Sequence, residues 1–387
     1  KSTWIFEKIF NILNQKMNIQ PFKLERYFAK YEFSSPYLLS CSDCEPLSLR
    51  ELLSLADGES MKYWNLLNLG YTESQGNPVL RDEITKLYNG VNSDDIAIMA
   101  PEEGIFIAMN VLLEKGDEVI VTYPGYQSLY EVARSIGCRI KKWEPKSTDG
   151  WHFDVESLET LITSKTKLMI INFPHNPTGS TISKEEQSRL IDFAEKNDLI
   201  IFSDEMYRYL EFNDEDRLPS LIDKSANAIV LGGMSKSFGL AGLRTGWLIT
   251  KQKKWIEEFI RFKDYTTICN SAPSEVLALI GIRAKDKIIR NNLYLIEQNL
   301  QILNQFFKDY KGFFKWRKPR AGTIALPELL IDMTAAEFCD KLNKQQGVML
   351  LPGDVYEFEG NHFRIGFGRK DFPTALKKLT EFIKNLE

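Results

Sequence analysis

Hydrophobic and polar positions follow two periods through the middle of the chain. Ile96–Ala100, Glu118–Thr122, Arg139–Trp143, Lys167–Asn172, Leu199–Ser203, Ala228–Leu231 and Thr245–Thr250 are short apolar or extended runs bounded by turn residues, which predicts strands. Between them, Glu102–Glu114, Gln127–Ile136, Asp154–Thr163 and Lys184–Lys196 predict helices. In the first of these the apolar positions are Ile105, Phe106, Met109, Leu112 and Leu113, spaced for one helical face. Strands alternating with helices imply crossover connections and a mostly parallel sheet covered on both faces. Ligands on such sheets lie at the carboxyl ends of the strands. Asn172, Asp204, Ser235 and Lys236 fall at such ends.

From about Ser271 the pattern changes. Ser274–Asn299 and Leu300–Lys308 predict long helices. Extended pieces follow near Ile324–Leu326, Val348–Leu351 and Phe363–Phe367, flanked by helices over Ala335–Lys344 and Phe372–Asn385. The expected fold class is α/β: a large domain with a mostly parallel sheet and helices on both faces, plus a smaller α+β domain from the chain termini. The expected division is 1–45 as an N-terminal segment of the small domain, 46–285 as the large domain and 286–387 as the small C-terminal domain.

Length and charge narrow the function. At ~100–200 residues per domain, 387 residues suggest two. With 49 basic against 53 acidic residues the net charge is −4, which leaves no positive excess for a nucleic-acid partner. No apolar run is long enough for a membrane span. Lys1–Gln20 has the spacing of an amphipathic helix, but Glu7, Lys8 and Asn11 interrupt any signal-peptide core. The chain begins with Lys, and Met17 is a candidate initiator. Five cysteines do not make a disulfide scaffold. Cys41-Ser42-Asp43-Cys44 reads either as a redox pair or half a zinc site, or as two free thiols of a cytoplasmic protein. No second such pair exists and His152, His175 and His362 are scattered, so the thiols carry more weight and no metal is expected.

Three strand-end segments carry candidate chemistry. In Gly233-Met234-Ser235-Lys236-Ser237-Phe238-Gly239-Leu240-Ala241-Gly242-Leu243-Arg244, a lysine with suppressed charge can form an imine with an aldehyde. Ser235 and Arg244 can hold an anion beside it; the other reading is a surface Lys and Arg in a glycine-rich loop. Asn172-Phe173-Pro174-His175-Asn176-Pro177-Thr178-Gly179 makes a rigid turn that either presents Asn176 to a ligand oxygen or merely stops the strand, with His175 facing solvent. In Asp204-Glu205-Met206-Tyr207, the carboxylate either faces a cation such as a protonated ring nitrogen, with Tyr207 reaching the same ligand, or caps the next helix.

The order Asn, Asp–Tyr, Lys, Arg, each at a strand end, resembles the fold type I pyridoxal-phosphate enzymes of the class I/II aminotransferase family, over roughly Leu69 to Phe367. The resemblance implies pyridoxal 5'-phosphate as cofactor. It implies that Lys236 forms the internal aldimine and shuttles a proton, and that Asp204 pairs with the pyridine nitrogen. Asn176 and Tyr207 then bond the ring's phenolic oxygen, Tyr126 stacks on the ring, and Ser235 and Arg244 bind phosphate. It further implies that Tyr71 reaches the phosphate of a neighbouring subunit in a homodimer with shared sites, and that Arg364 clamps the substrate α-carboxylate. The chain departs from the family pattern at three places. Ala100-Pro101-Glu102-Glu103-Gly104 replaces the small-residue phosphate turn, although the backbone N–H groups of Glu102 and Glu103 can still bind phosphate at a helix start. Gly233 stands where relatives carry a serine. Arg320-Ala321-Gly322-Thr323 stands where relatives carry a Gly-Ala-aromatic pocket wall.

The expected activity is a cytoplasmic aminotransferase acting on an amino acid and a 2-oxo acid. The alternatives are a lyase, decarboxylase or cyclising enzyme using the same cofactor, and a catalytically silent binding protein on the same fold.

Overall fold

A computed structural model describes residues 18–146 and 150–386. The N-terminal part supplies α1 (Lys23–Tyr31) and the two-residue strand β1 (Tyr37–Leu38). Three short helices follow: α2 (Leu49–Leu53), α3 (Gly58–Asn65) and α4 (Pro78–Thr85). Strand–helix alternation then begins with β2 (Ile96–Met99), α5 (Pro101–Leu112), β3 (Glu118–Thr122), α6 (Ser128–Ile136) and β4 (Arg139–Trp143). It continues with β5 (Thr166–Asn172), α7 (Lys184–Lys196), β6 (Ile200–Asp204), β7 (Ala228–Gly233) and β8 (Gly246–Ile249). These seven strands form one sheet in the order β2-β8-β7-β6-β5-β3-β4. Only β8 runs antiparallel to its neighbours.

Alternation sorts each buried strand between two cores. Leu168 and Ile170 of β5 join the cluster under α5, α6 and α8 (Lys253–Lys263), while Met169 and Ile171 join the one under α4, α7 and α9 (Ala272–Arg283). A continuous apolar run is therefore what a strand covered on both faces needs.

A second core lies beyond the sheet. α10 (Lys285–Asp309) leads into β9 (Phe314–Lys315), β10 (Ile324–Ala325) and β11 (Glu328–Leu329). α11 (Ala335–Gln346), β12 (Val348–Met349), β13 (Leu351–Pro352), β14 (Phe363–Gly366) and α12 (Phe372–Lys384) complete the chain. β1 pairs in parallel with β12, and Leu39 and Cys44 pack into this core, so the N-terminal segment joins it.

Two local expectations are corrected, and a third lies mostly outside the described residues. Asp154–Thr163 is not an α-helix but a 3-10 turn over Val155–Thr160. The Ser157 and Thr160 hydroxyls donate to the carbonyls of Asp154 and Ser157, competing with the helical ladder. The long C-terminal helix breaks at Ala284, not near Asn299. Asn299 is tolerated mid-helix because its amide donates to the carbonyls of Phe367 and Arg369, at 2.9 and 2.8 Å. Of the helix expected over Lys1–Gln20, residues 1–17 lie outside the described residues and Asn18–Gln20 are irregular.

Candidate active site

A cavity of about 360 Å³ opens at the carboxyl ends of β5, β6 and β7. α1 and the segment Ser40–Asp43 cover it. Of the residues singled out above, Lys236, Asp204, Tyr207, Asn176, Tyr126, Ser235, Arg244, Glu102 and Arg364 all line it. Tyr71 does not: its side chain is 92% exposed on this chain. Glu103 points to the neighbouring surface, where its carboxylate accepts from the hydroxyls of Thr266 and Thr267.

The strand ends hold one another. Asn172 Nδ2 donates to the Asp204 carbonyl at 3.0 Å, and Asn172 Oδ1 accepts from the Asn176 N–H at 2.8 Å. This fixes Asn176 at the cavity wall. His175 is buried rather than solvent-facing. Its Nδ1 pairs with Thr178 Oγ1 at 2.7 Å, and burial pulls its pKa down to about 3, so the ring is neutral and structural.

Asp204 closes β6, with Oδ1 accepting from the Met206 N–H at 3.1 Å. Burial pushes its pKa up to about 6, against the partial relief of that bond and of Lys236. It makes no ion pair among the described residues. Lys236 follows β7. Burial lowers its pKa, opposed by Asp43, and Nζ donates to Ser42 Oγ at 2.8 Å. Tyr207 donates to the Ser42 carbonyl at 2.8 Å, and Thr323 Oγ1 donates to the same oxygen at 2.8 Å. Ser235 Oγ is buried and has no partner among the described residues. Arg244 sits in the left-handed region at φ 51° just before β8. The reversed strand thus brings Arg244 back to the end where Lys236 lies.

The altered turn has a packing reason. Pro101 starts α5. A Cβ on Gly233 would stand 3.1 Å from Pro101 Cγ, and one on Gly246 would stand 2.8 Å from it. The pyrrolidine ring fills the space that a side chain at position 233 would need. The carboxyl of Glu102 lines the cavity and accepts from Ser128 Oγ at 3.2 Å, with its pKa raised to about 7 chiefly by burial. Arg320 turns away to pair with Asp216, and only Thr323 of that segment contacts the cavity's cover.

Arg364 is 1% exposed. Its Nη1 donates to Tyr356 OH at 2.8 Å and its Nη2 to the Ser40 carbonyl at 2.7 Å. The residues that sequence reasoning missed are Glu25 and Phe28 of α1, Glu32 at its C-terminal cap, Ser42, and Tyr356, which holds Arg364. Ser42 registered only as a spacer between two cysteines. No local signal marks them, because their partners are more than a hundred positions away, except for Tyr356 and Arg364.

A sequence model described as aminotransferase class I and II matches residues 67–378. The chain is 27% identical over 281 residues to the capreomycidine synthase of Streptomyces vinaceus, covering 72% of each. It is 26% identical to a probable aspartate aminotransferase of Methanocaldococcus jannaschii, covering 89% of this chain and 99% of that one. Among solved structures, a PLP-dependent aminotransferase from Streptococcus suis is 28% identical with a TM-score of 0.89, covering 96% of this chain and 99% of that one.

Proposed function

The chain belongs to the class I and II aminotransferase family and is a pyridoxal-phosphate-dependent aminotransferase, and from that premise we propose how its own residues divide the work. The observation that carries the assignment is the pair of buried groups at adjacent strand ends, Lys236 with a lowered pKa and Asp204 without a cation.

The residues fit the cofactor. Ser235 Oγ is buried without a partner at one end of the cavity, and the cationic Arg244 is beside it. Those two and the backbone N–H groups of Glu102 and Glu103 would hold the phosphate. Lys236 would anchor the carbonyl carbon, Asp204 would face the ring nitrogen, Asn176 and Tyr207 the phenolic oxygen, and Tyr126 the ring face. Bound there, pyridoxal phosphate supplies an electrophilic carbonyl and an electron-accepting ring. Asp204, desolvated on its own, holds a proton on the ring nitrogen by pairing with it. Lys236 Nζ, with its charged form disfavoured by burial, takes and returns the substrate's α-proton near neutral pH. Arg364 orients the substrate α-carboxylate, and Tyr356 with Ser40 holds that guanidinium in place. α1 and Ser40–Asp43 exclude water.

The homodimer, the cytoplasmic location and the domain division belong to the same proposal. Tyr71 of one subunit reaches the phosphate end of the other, a reading supported by its exposure. Free, mostly buried cysteines suit a reducing compartment, and no described helix is long and apolar enough to cross a membrane. Of the expected division, the described residues 18–45 and 286–386 make the small domain and 46–285 the large one in this reading; the β1–β12 pairing supports it. A cyclising enzyme is the second reading, favoured by the similarity to a capreomycidine synthase and by the intrusion of Glu102 into the cavity.

The test is an absorbance titration of the purified protein with pyridoxal phosphate, then with amino acids. A visible band absent in Lys236→Ala, converted by a donor to the pyridoxamine form with release of a 2-oxo acid, is expected. Release of ammonia or carbon dioxide, or a cyclic amino acid without a pyridoxamine form, would overturn it.

A further inference from the structure

The cavity holds more acid than the roles above use. Glu25, Glu32, Asp43 and Glu102 all line it. Asp43 is committed to Arg369, whose Nη2 reaches its two carboxylate oxygens at 3.0 and 2.9 Å. Among the described residues, the other three have no Lys or Arg nitrogen within 4.0 Å. Among the described residues, Glu25 receives only the Tyr126 hydroxyl, at 3.2 Å, and Glu32 receives no side-chain hydrogen bond.

Glu25 and Phe28 of α1 and Glu32, which caps its C-terminal end in a still-helical backbone conformation, follow one another at spacings of three and four residues and so share a face. Tyr27 ties the helix down elsewhere, donating to the Leu350 carbonyl at 2.9 Å. Phe28 lies over the Arg364 guanidinium, 5.5 Å from its ring centroid. Independently of the acids, Arg364 Nε is buried at the cavity wall with no acceptor among the described residues. A buried guanidinium N–H left open is costly unless a ligand anion completes it. The cover of the cavity therefore presents an anion receptor under Phe28. Along the axis the backbone positions of Glu25 and Glu32 lie about 4.5 and 6 Å to either side of that of Phe28, from the rise per residue. Burial raises the Glu32 pKa, and Asp43 and Glu25 add to that rise. A cation arriving between these acids relieves a cost that the protein alone bears.

We propose that the substrate of this site is an amino acid whose side chain ends in a cation, a guanidinium or an ammonium, held by Glu25 and Glu32 while its α-carboxylate engages Arg364. The inference rests on the aminotransferase reading for the placement of the α-carboxylate. It also states what the site rejects. An acidic side chain would bring a second anion against Glu25 and Glu32 without a counter-charge.

Two measurements on the cofactor-loaded protein test this. In calorimetry, 5-guanidinopentanoate, which has no amine to react, is compared with its neutral isostere 5-ureidopentanoate. The guanidino acid is expected to bind about tenfold tighter or more, with Glu25→Gln and Glu32→Gln each narrowing the gap. Glu32→Gln removes no hydrogen bond of the fold, so it reports on charge even where Glu25→Gln disturbs Tyr126. In turnover, the kcat/KM ratio of L-arginine to L-citrulline is expected to exceed about ten and to fall in both variants, with L-glutamate the poorest donor. Equal binding of the two acids, or citrulline or glutamate used as well as arginine, overturns the proposal and leaves the aminotransferase standing. Selective binding of the guanidino acid with no pyridoxamine formed from any amino acid upholds the cation subsite and removes the aminotransferase reading instead.

Discussion

Asp204 is a residue whose cost to the fold is the mark of its use. Its pKa in the folded chain is raised from 3.8 to about 6, so the folded state binds its proton more tightly than the unfolded chain does. Stability from this group is present below about pH 4 and is lost as pH rises through 6. That difference in proton affinity corresponds to roughly 3 kcal/mol. Asp204→Asn is therefore expected to stabilise the cofactor-free protein by on the order of 2–3 kcal/mol at pH 8 and hardly at all at pH 3. Urea unfolding at the two pH values checks this. The same variant is expected to lower transamination by about 100-fold or more, since a neutral amide cannot hold the ring proton; single-turnover absorbance reads that loss. His175 works in the opposite direction. Its folded pKa is lowered from 6.5 to about 3, so its share of stability is lost as pH falls below 6.5.

At the scale of elements, the segment Ser40–Asp43 matters most to the site and left the fewest traces in the sequence. It donates nothing by periodicity. It is held by close approach instead: a Cβ on Gly366 of β14 would stand 2.0 Å from the Cys41 carbonyl oxygen. Gly366→Ala is expected to push the segment off β14, release Ser42 from Lys236 and Tyr207, and lower kcat/KM about tenfold or more while far-UV dichroism keeps the large sheet's signal. Retained kinetics would show that the segment does not position Lys236. In contrast, Ser183→Ala removes one half of a capping box on α7, far from the cavity. It should cost about 1 kcal/mol in denaturant unfolding and leave kinetics alone. The difference between these elements explains what was legible. Strands such as β5 and β6 announce themselves because burial on both faces demands apolar runs, and the polar residue that ends each run, Asn172 or Asp204, was visible as an interruption. Capped helices such as α7 carry their own start signal. Contacts of the cover are made across sequence separations of 165 and 194 residues, and no local pattern encodes them. Ala284 shows the same limit: the break between α9 and α10 carries no breaker residue.

At the scale of the whole molecule, α10 joins the two cores. Near its start Ile288 packs under the large sheet, and farther along Ile296, Leu300 and Leu303 pack in the second core. Asn292 and Asn299 donate from it to Ser237, next to the reactive lysine, and to Phe367 and Arg369. The proposed homodimer adds a second route of assembly. Tyr71→Phe is expected to weaken pyridoxal-phosphate affinity by about tenfold, by loss of one charge-assisted hydrogen bond, without changing the sedimentation of the dimer. A fully active monomer in sedimentation would remove Tyr71 from the site. One arrangement described above reaches further than catalysis. The reactive groups are rooted at the ends of sheet strands, between Asn172 and Arg244, whereas Glu25 and Phe28 sit on the nine-residue helix α1 and Glu32 caps its end, on a segment that covers the cavity. None of those three side chains belongs to the buried core. Mutation can therefore rewrite what the enzyme accepts through a handful of codons in one short segment, while the codons that maintain foldability and reactivity stay under separate selection, and a duplicated copy has a short path to a new diet of substrates.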